Sequence, residues 1–336
     1  MQIRGSLLCV FGSFSPRRFA AATLLVVLLF CVLAQSQDPI EIVRIESDLV
    51  DLKVSVLAVS PKLKAPLLEK KDFTVLEDGM AQEISFFAAA DTPFDLVLLL
   101  DLSGSNSKKL KMIRSSAKRF VDSARSVDRI ALVAFTDRSS LLSPFSLDRG
   151  QLKKRIDEID EAMGGTNFWD SLDYVLRDLV PKGQGLRRSA VVVMTDGIDN
   201  ALPDVPGPGS RVTFDQLLSR IRDSEAIVFP IYLDNEEENV KRYRIPRAAY
   251  AQARADLTQI ASSCGTFMYR AAKLKDLDQV YSRVIADLST VYTISYRPLN
   301  RRVDGKWRSV EVQLSQRADL LARTKRGYYA RAKSER

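Results

Sequence analysis

The chain has 336 residues, a formal net charge of +8, 46% hydrophobic and 27% charged residues, and no histidine. This length holds about two domains and this composition supplies a sizeable core, which excludes disorder as the default state. Without histidine, every His-dependent nucleophile triad and every His-containing zinc site is excluded as well.

At the start of the chain, Arg4, Arg17 and Arg18 precede an apolar run from Phe19 to Ala34. A basic start followed by an apolar stretch of this length is the pattern of a secretory signal. Ala34-Gln35-Ser36 offers small residues for cleavage, expected after Ser36, so residues 1–36 read as a signal peptide. The alternative is an uncleaved N-terminal membrane anchor, although a span needs about 20 apolar residues. Phe30 before Cys31 is too large for a lipoprotein cleavage site. Loss of Arg4, Arg17 and Arg18 lowers the formal charge to +5 and leaves Cys264 as the one cysteine of the remainder, a structurally inert thiol. No later segment is apolar enough to cross a bilayer. The expected protein is exported, whether periplasmic, on the cell surface or secreted, with no transmembrane domain after cleavage.

Residues 37–91 read as an N-terminal β segment. Leu49–Val59 alternates apolar and polar residues, as a half-buried strand does, and Phe73–Leu76 and Ile84–Phe87 are further strands around a turn at Glu77-Asp78-Gly79.

Residues 92–291 alternate strand and helix. Phe94–Leu100, Ile130–Phe135, Ala190–Met194 and Ile227–Leu233 are continuous apolar runs of the buried, parallel-strand type. Helical spacing is expected over 108–127, 152–163, 168–180, 214–221, 248–262 and 274–288, with a short strand at Thr266–Arg270. Glu236-Glu237-Glu238 reads as a solvated loop. Such alternation implies an α/β fold: a doubly wound, mostly parallel, Rossmann-like sheet with helices on both faces, flanked by small β segments at both ends. Residues 292–336 return to β, with strands at Tyr292–Tyr296, Arg308–Leu314 and Ala322–Tyr329 and a basic tail that contains no nucleic-acid module. The two flanking β segments are expected to pack together as one platform.

In an open parallel sheet, ligands bind beyond the carboxyl ends of the strands. Asp101-Leu102-Ser103-Gly104-Ser105 follows the first buried strand, Thr195-Asp196-Gly197 follows the third, and Gly164-Gly165-Thr166-Asn167 lies at the start of a helix. Together they offer two carboxylates and several hydroxyls, with no nitrogen or sulfur donor. Hard oxygen ligands suit Mg2+, Mn2+ or Ca2+, not zinc or copper. Alternation of Ser103 and Ser105 with Leu102 and Gly104 turns both hydroxyls one way, and Gly104 is expected to let the loop close around an ion. With few formal charges in the shell, an octahedral Mg2+ keeps positions for water or an incoming carboxylate.

Asp101-x-Ser103-x-Ser105 after a buried strand resembles the first loop of the metal-ion-dependent adhesion site in von Willebrand factor A (VWA) domains. Gly165-Thr166 is similar to the second loop and Thr195-Asp196-Gly197 to the third. This resemblance implies a divalent cation, Mg2+ before Mn2+ or Ca2+, held by Asp101, Ser103, Ser105, Thr166 and Asp196, with a free position that accepts an Asp or Glu of a protein partner. Asn106, Asn167, Ile198 and Asp199 are expected to line the contact rim. Asn106 stands where many members carry Met. Asp72-Phe73-Thr74-Val75-Leu76-Glu77-Asp78-Gly79 with Gln82-Glu83-Ile84, and the end from Tyr292 to Ala330, resemble the flanks of bacterial exported VWA-related proteins.

The expected function is thus a metal-dependent adhesion or protein-binding module, not an enzyme. One alternative is a scaffold whose β segments bind a partner while the metal site is incidental or vestigial. Another is a metal-assisted phosphoester hydrolase, but Ser103 stands where such an enzyme needs an acid, and no G-x-x-x-x-G-K-[ST] loop is present.

Overall fold

The computed structural model describes residues 49–58, 66–160, 163–181, 187–315 and 317–330, all within one unit, Asp48–Arg336. The expected signal peptide, residues 1–36, lies outside the described residues. In chain order the strands are β1 (Val50–Ala58), β2 (Phe73–Glu77), β3 (Met80–Gln82), β4 (Ile84–Ala88), β5 (Phe94–Asp101), β6 (Arg129–Phe135), β7 (Ser139–Ser146), β8 (Arg188–Thr195), β9 (Ile227–Leu233), β10 (Tyr269–Ala271), β11 (Val291–Tyr296), β12 (Trp307–Leu314), β13 (Leu320–Arg323) and β14 (Gly327–Tyr329). The helices are α1 (Leu110–Ser123), α2 (Arg149–Asp157), α3 (Phe168–Tyr174), α4 (Phe214–Asp223), α5 (Glu236–Tyr243), α6 (Arg247–Ser263) and α7 (Leu274–Leu288).

β5 and β8 are buried at every residue because they lie side by side in the middle of a six-stranded sheet of order β10-β9-β8-β5-β6-β7. All its pairings are parallel except β6 with β7. Successive side chains leave opposite faces, so the apolar runs feed two cores. Leu96, Leu98 and Leu100 pack with Phe120 of α1 and Tyr281 of α7. Val97 and Leu99 pack with Leu172 of α3 and Leu257 of α6. Helices on both faces explain why these strands show no polar alternation.

The two terminal β segments interleave. Two antiparallel sheets, β13-β1-β11-β4 and β14-β12-β2-β3, each draw strands from both ends of the chain. A shared core of Leu52, Val54, Phe73, Val75, Tyr292, Ile294 and Val312 lies between them. β1 alternates as expected except where Ser55 is buried between Val54 and Val56, and β12 alternates exposed and buried residues. α7 leads directly into β11, and Arg188 at the start of β8 reaches the same junction, donating to the carbonyls of Val291, Ala90 and Thr92.

Several elements differ from expectation. β7 is an edge strand of Ser, Leu, Pro and Phe without clean alternation, and its pairing with β6 is irregular. The span 108–127 divides into a 3-10 stretch, Gly104–Lys109, and α1. The expected strand 322–329 is two strands in different sheets, and a Cβ on Gly327, the first residue of β14, would meet the Arg308 carbonyl oxygen at 2.1 Å. Finally, Glu236-Glu237-Glu238 is no loop but the first turn of α5, where acidic side chains complement the helix dipole. Arg254 meets Glu236 at 2.6 Å and Arg247 meets Glu237 at 2.7 Å. The helix ends at Arg244, whose φ of 56° is left-handed.

Among the described residues no helix is long and apolar enough to cross a membrane. Cys264 is a free thiol, which burial pushes up to about 12, so it stays protonated and unreactive at neutral pH.

Candidate metal centre

Because β5 and β8 are parallel neighbours, Asp101 at the end of one and Asp196 just past the end of the other emerge at the same sheet edge. Both are fully buried. The Asp101 carboxylate is closed on both oxygens. One accepts from the Ser103 amide at 2.9 Å and the Ser103 hydroxyl at 2.5 Å, and the other from the Thr195 hydroxyl at 2.6 Å. Ser103 Oγ lies 3.0 Å from Ser105 Oγ, so the two serines do turn one way. Asp196 accepts from the Ile198 amide at 3.2 Å and from Asn235 Nδ2 at 3.1 Å.

The loop before α3 is laced to its neighbours by its backbone. Gly104 N donates to Gly164 O at 3.1 Å, Asn167 N to Thr136 O at 2.8 Å, and Asn200 N to Thr166 O at 2.9 Å. Thr166 is thereby held, buried, between the loops after β5 and β8. The tight packing falls elsewhere than expected. A Cβ on Gly104 would make an ordinary 3.4 Å contact, whereas one on Gly197, at φ +76°, would lie 2.8 Å from Leu257 Cδ1. Gly197 is one glycine this site requires, and Gly164, at φ +95°, is another.

Burial pushes both carboxyls upward in pKa, and the Asp101 charge raises Asp196 further. Hydrogen bonds from Ser103 and Thr195 to Asp101, and from Ser105 and Asn235 to Asp196, pull the other way. Among the described residues neither carboxylate makes an ion pair. The nearby ammonium of Lys109 donates to the Asp234 carbonyl at 2.5 Å. Two buried carboxylates, both raised in pKa by burial, with hydroxyls around them, form a donor set that a hard divalent cation would neutralise. Among the described residues no three His, Cys, Asp or Glu side chains converge; the donors gathered here are two carboxylates and hydroxyls. The residues fit a hard divalent cation.

The expected rim is only partly at the surface. Asn167 is half-buried, but Asn106, Ile198 and Asp199 are buried and cannot line a contact face. Asp199 accepts from the amides of Trp169, Ala201 and Ser210 and from the Ser210 hydroxyl, holding the loop after β8 against α3. Asn106 turns inward to Ser103 and Asn235. The surface is formed instead by Gly104, Ser105, Gly164 and Gly165, beside a groove of about 480 Å3 lined in part by Leu102, Thr136, Arg138, Leu142 and Met163.

Two functional residues escaped the sequence reading. Thr195 lies inside the third motif but had no role there. Asn235 follows β9 at the N-cap position of α5, where its side chain makes no capping bond, and it lies where sites form past the ends of buried strands.

The von Willebrand factor type A domain model matches residues 95–283. Among curated proteins the chain is 25% identical over 167 residues to an uncharacterized protein of Borreliella burgdorferi, covering 47% of this chain and 46% of that one. It is 30% identical over 124 residues to the E3 ubiquitin-protein ligase WAVH1 of Arabidopsis thaliana, covering 32% of this chain and 18% of the ligase. The chain thus spans less than half the length of either curated relative. Among solved structures, BatB of Bacteroides thetaiotaomicron superposes with a TM-score of 0.45 at 16% identity, over 58% of this chain and 98% of BatB. Proximal thread matrix protein 1 of the mussel byssus, with a zinc-occupied MIDAS motif, superposes with a TM-score of 0.45 at 15% identity, over 62% of this chain and 49% of that one. The family match takes in more than half of the chain and all three loops of the site: the chain belongs to the von Willebrand factor type A domain family.

Proposed function

We propose that this protein is an exported, metal-dependent protein-binding module. Asp101, Ser103, Ser105, Thr166 and Asp196 would hold a divalent cation, Mg2+ before Mn2+ or Ca2+, whose free position takes an Asp or Glu of a partner. The observation that carries this reading is the pairing of two fully buried carboxylates, in no ion pair among the described residues, at the ends of adjacent parallel strands. Burying such charge is costly unless a cation neutralises it. The bound ion would supply Lewis acidity toward a carboxylate oxygen. This chain's own residues hold the ion and shape the approach.

Approach is open over Gly104, Ser105, Gly164 and Gly165, and the adjoining groove offers apolar surface and Arg138 to the partner's neighbouring residues. Asp101, buried and with both oxygens accepting hydrogen bonds, would hold the ion directly or through water, and Ser103 stands where a phosphoester hydrolase needs an acid. In the proposed organisation the signal peptide spans residues 1–36 and the VWA domain residues 92–291. The β segments 37–91 and 292–336 form a platform beneath it.

The test is binding of the protein to immobilised peptides carrying one Asp in a glycine background. Binding is expected in Mg2+ and is lost in EDTA, in Asp101→Ala, and when the peptide Asp is replaced by Asn. Binding that survives EDTA and the Asn peptide would favour the scaffold reading, in which the β platform contacts the partner.

A further inference from the structure

Asn235 is 5% exposed and stands where β9 passes into α5. Its Nδ2 faces three acceptors: Asp196 Oδ2 at 3.1 Å, Asn106 Oδ1 at 3.0 Å and Ser105 O at 3.3 Å. This settles the orientation of the amide, because the flipped group would set its oxygen against a carboxylate and two carbonyl oxygens. Its Oδ1 is buried without a partner among the described residues. The side chain is thus oriented for the acceptors around the site and not for its own saturation. Asn106, fully buried, passes the contact on, with its Nδ2 3.4 Å from Ser103 Oγ, which donates to Asp101. A continuous chain of neutral groups therefore links one carboxylate to the other: Asp196, Asn235, Asn106, Ser103, Asp101.

The same junction grips the loop after β5 from outside. Tyr243 Oη of α5 donates to Gly104 O at 3.0 Å, and Lys108 meets Glu238 of α5 at 2.6 Å. Lys109 Nζ donates to Asp234 O. Every one of these contacts joins the segment 234–243 to the segment 104–109.

We propose that Asn235 is a positioning residue of the metal centre: through its bonds to Asp196 and Asn106 it fixes how the second carboxylate and the Ser103 hydroxyl face the ion, with α5 as the brace that holds it there. This rests on the metal-binding reading above. Partners of metal ligands that hold them in orientation typically contribute roughly 10- to 100-fold in affinity. An aspartate at this position would keep the shape, lose the donors and add a third carboxylate, which favours a larger cation with more oxygen ligands.

The experiment is calorimetric titration of the full chain with Mg2+ and Ca2+, for the unaltered protein, Asp101→Ala, Asn235→Ala and Asn235→Asp, with unfolding midpoints measured in EDTA. Asn235→Ala is expected to weaken Mg2+ binding roughly tenfold or more. Asn235→Asp is expected to lower the midpoint in EDTA, to regain it in metal, and to shift preference toward Ca2+. It also serves if the alanine variant does not fold. A purely structural bond would lower the EDTA midpoint and leave both affinities and their ratio unchanged, which overturns the proposal while Asp101→Ala still abolishes binding. No metal binding by the unaltered protein would overturn both this proposal and the metal-site reading.

Discussion

Thr195 Oγ1 donates to Asp101 Oδ2 at 2.6 Å, so the last residue of β8 closes the carboxylate at the end of β5. Both are fully buried. Thr195→Val keeps the shape and removes the donor, leaving a buried carboxylate oxygen unsatisfied. We expect a loss of about 1–3 kcal/mol in urea unfolding measured in EDTA, and near-complete recovery in Thr195→Ser. Equal stability of the Val and wild-type proteins would show that the bond does not matter to the site.

Gly197 has no room for a side chain. Its φ of +76° is left-handed, and a methyl would lie 2.8 Å from Leu257 Cδ1 and 3.2 Å from Ala253 Cβ. Leu257 and Ala253 are themselves fully buried in α6. Gly197→Ala is expected to cost about 2 kcal/mol through backbone strain and overpacking, and to weaken metal binding by displacing Asp196. Denaturant midpoints and a metal titration check both effects.

These two residues show how unevenly the site was legible. The proposed ligands were readable because they sit within a few residues of apolar runs whose direction is unambiguous. Their supports were not. Thr195 reads as the end of a strand, and Asn235 as the start of a polar stretch of acidic residues. Only the fold shows that the polar stretch is a helix braced on the loop after β5. Asn106 was visible as an unusual residue, yet its partner lies 129 positions away. The expected rim failed for the same reason: sequence places a residue in a loop but does not say which way it turns. Among the strands, buried parallel runs were read almost to the residue, whereas β7 and the division of 322–329 depend on pairing with distant segments.

Asp256 lies on α6, 2% exposed, and accepts from Gln252 Nε2 at 2.7 Å. Burial raises its carboxyl from 3.8 to about 6. The folded state therefore binds this proton more tightly than the unfolded state. Its contribution favours folding at low pH, is lost as pH rises from about 4 to about 6, and is then constant. Asp256→Asn is expected to be more stable than wild type above pH 7, by about 3 kcal/mol, with the difference shrinking as pH falls through that window. Chemical denaturation of both proteins between pH 4 and pH 8 tests the sign.

Arg188 ties the central sheet to the β platform. It is 4% exposed, donates at 2.7 Å to the carbonyls of Ala90 and Thr92 as well as to Val291, and stacks 4.2 Å from the Phe94 ring. Burial lowers its pKa to about 10, so it remains charged at neutral pH. Arg188→Met fills the space and abandons the carbonyls. A loss of about 3 kcal/mol is expected, with earlier proteolytic cleavage between α7 and β11. Unchanged cleavage would mean that the junction is held by the strand pairings alone.

The most direct test of the central claim is calorimetric titration of the chain with Mg2+ beside Asp101→Ala. Saturable binding at one site, absent from the variant, is the expected result. Equal heats from both proteins would place any bound metal elsewhere, and no binding by either would leave the paired carboxylates of β5 and β8 without the cation proposed for them.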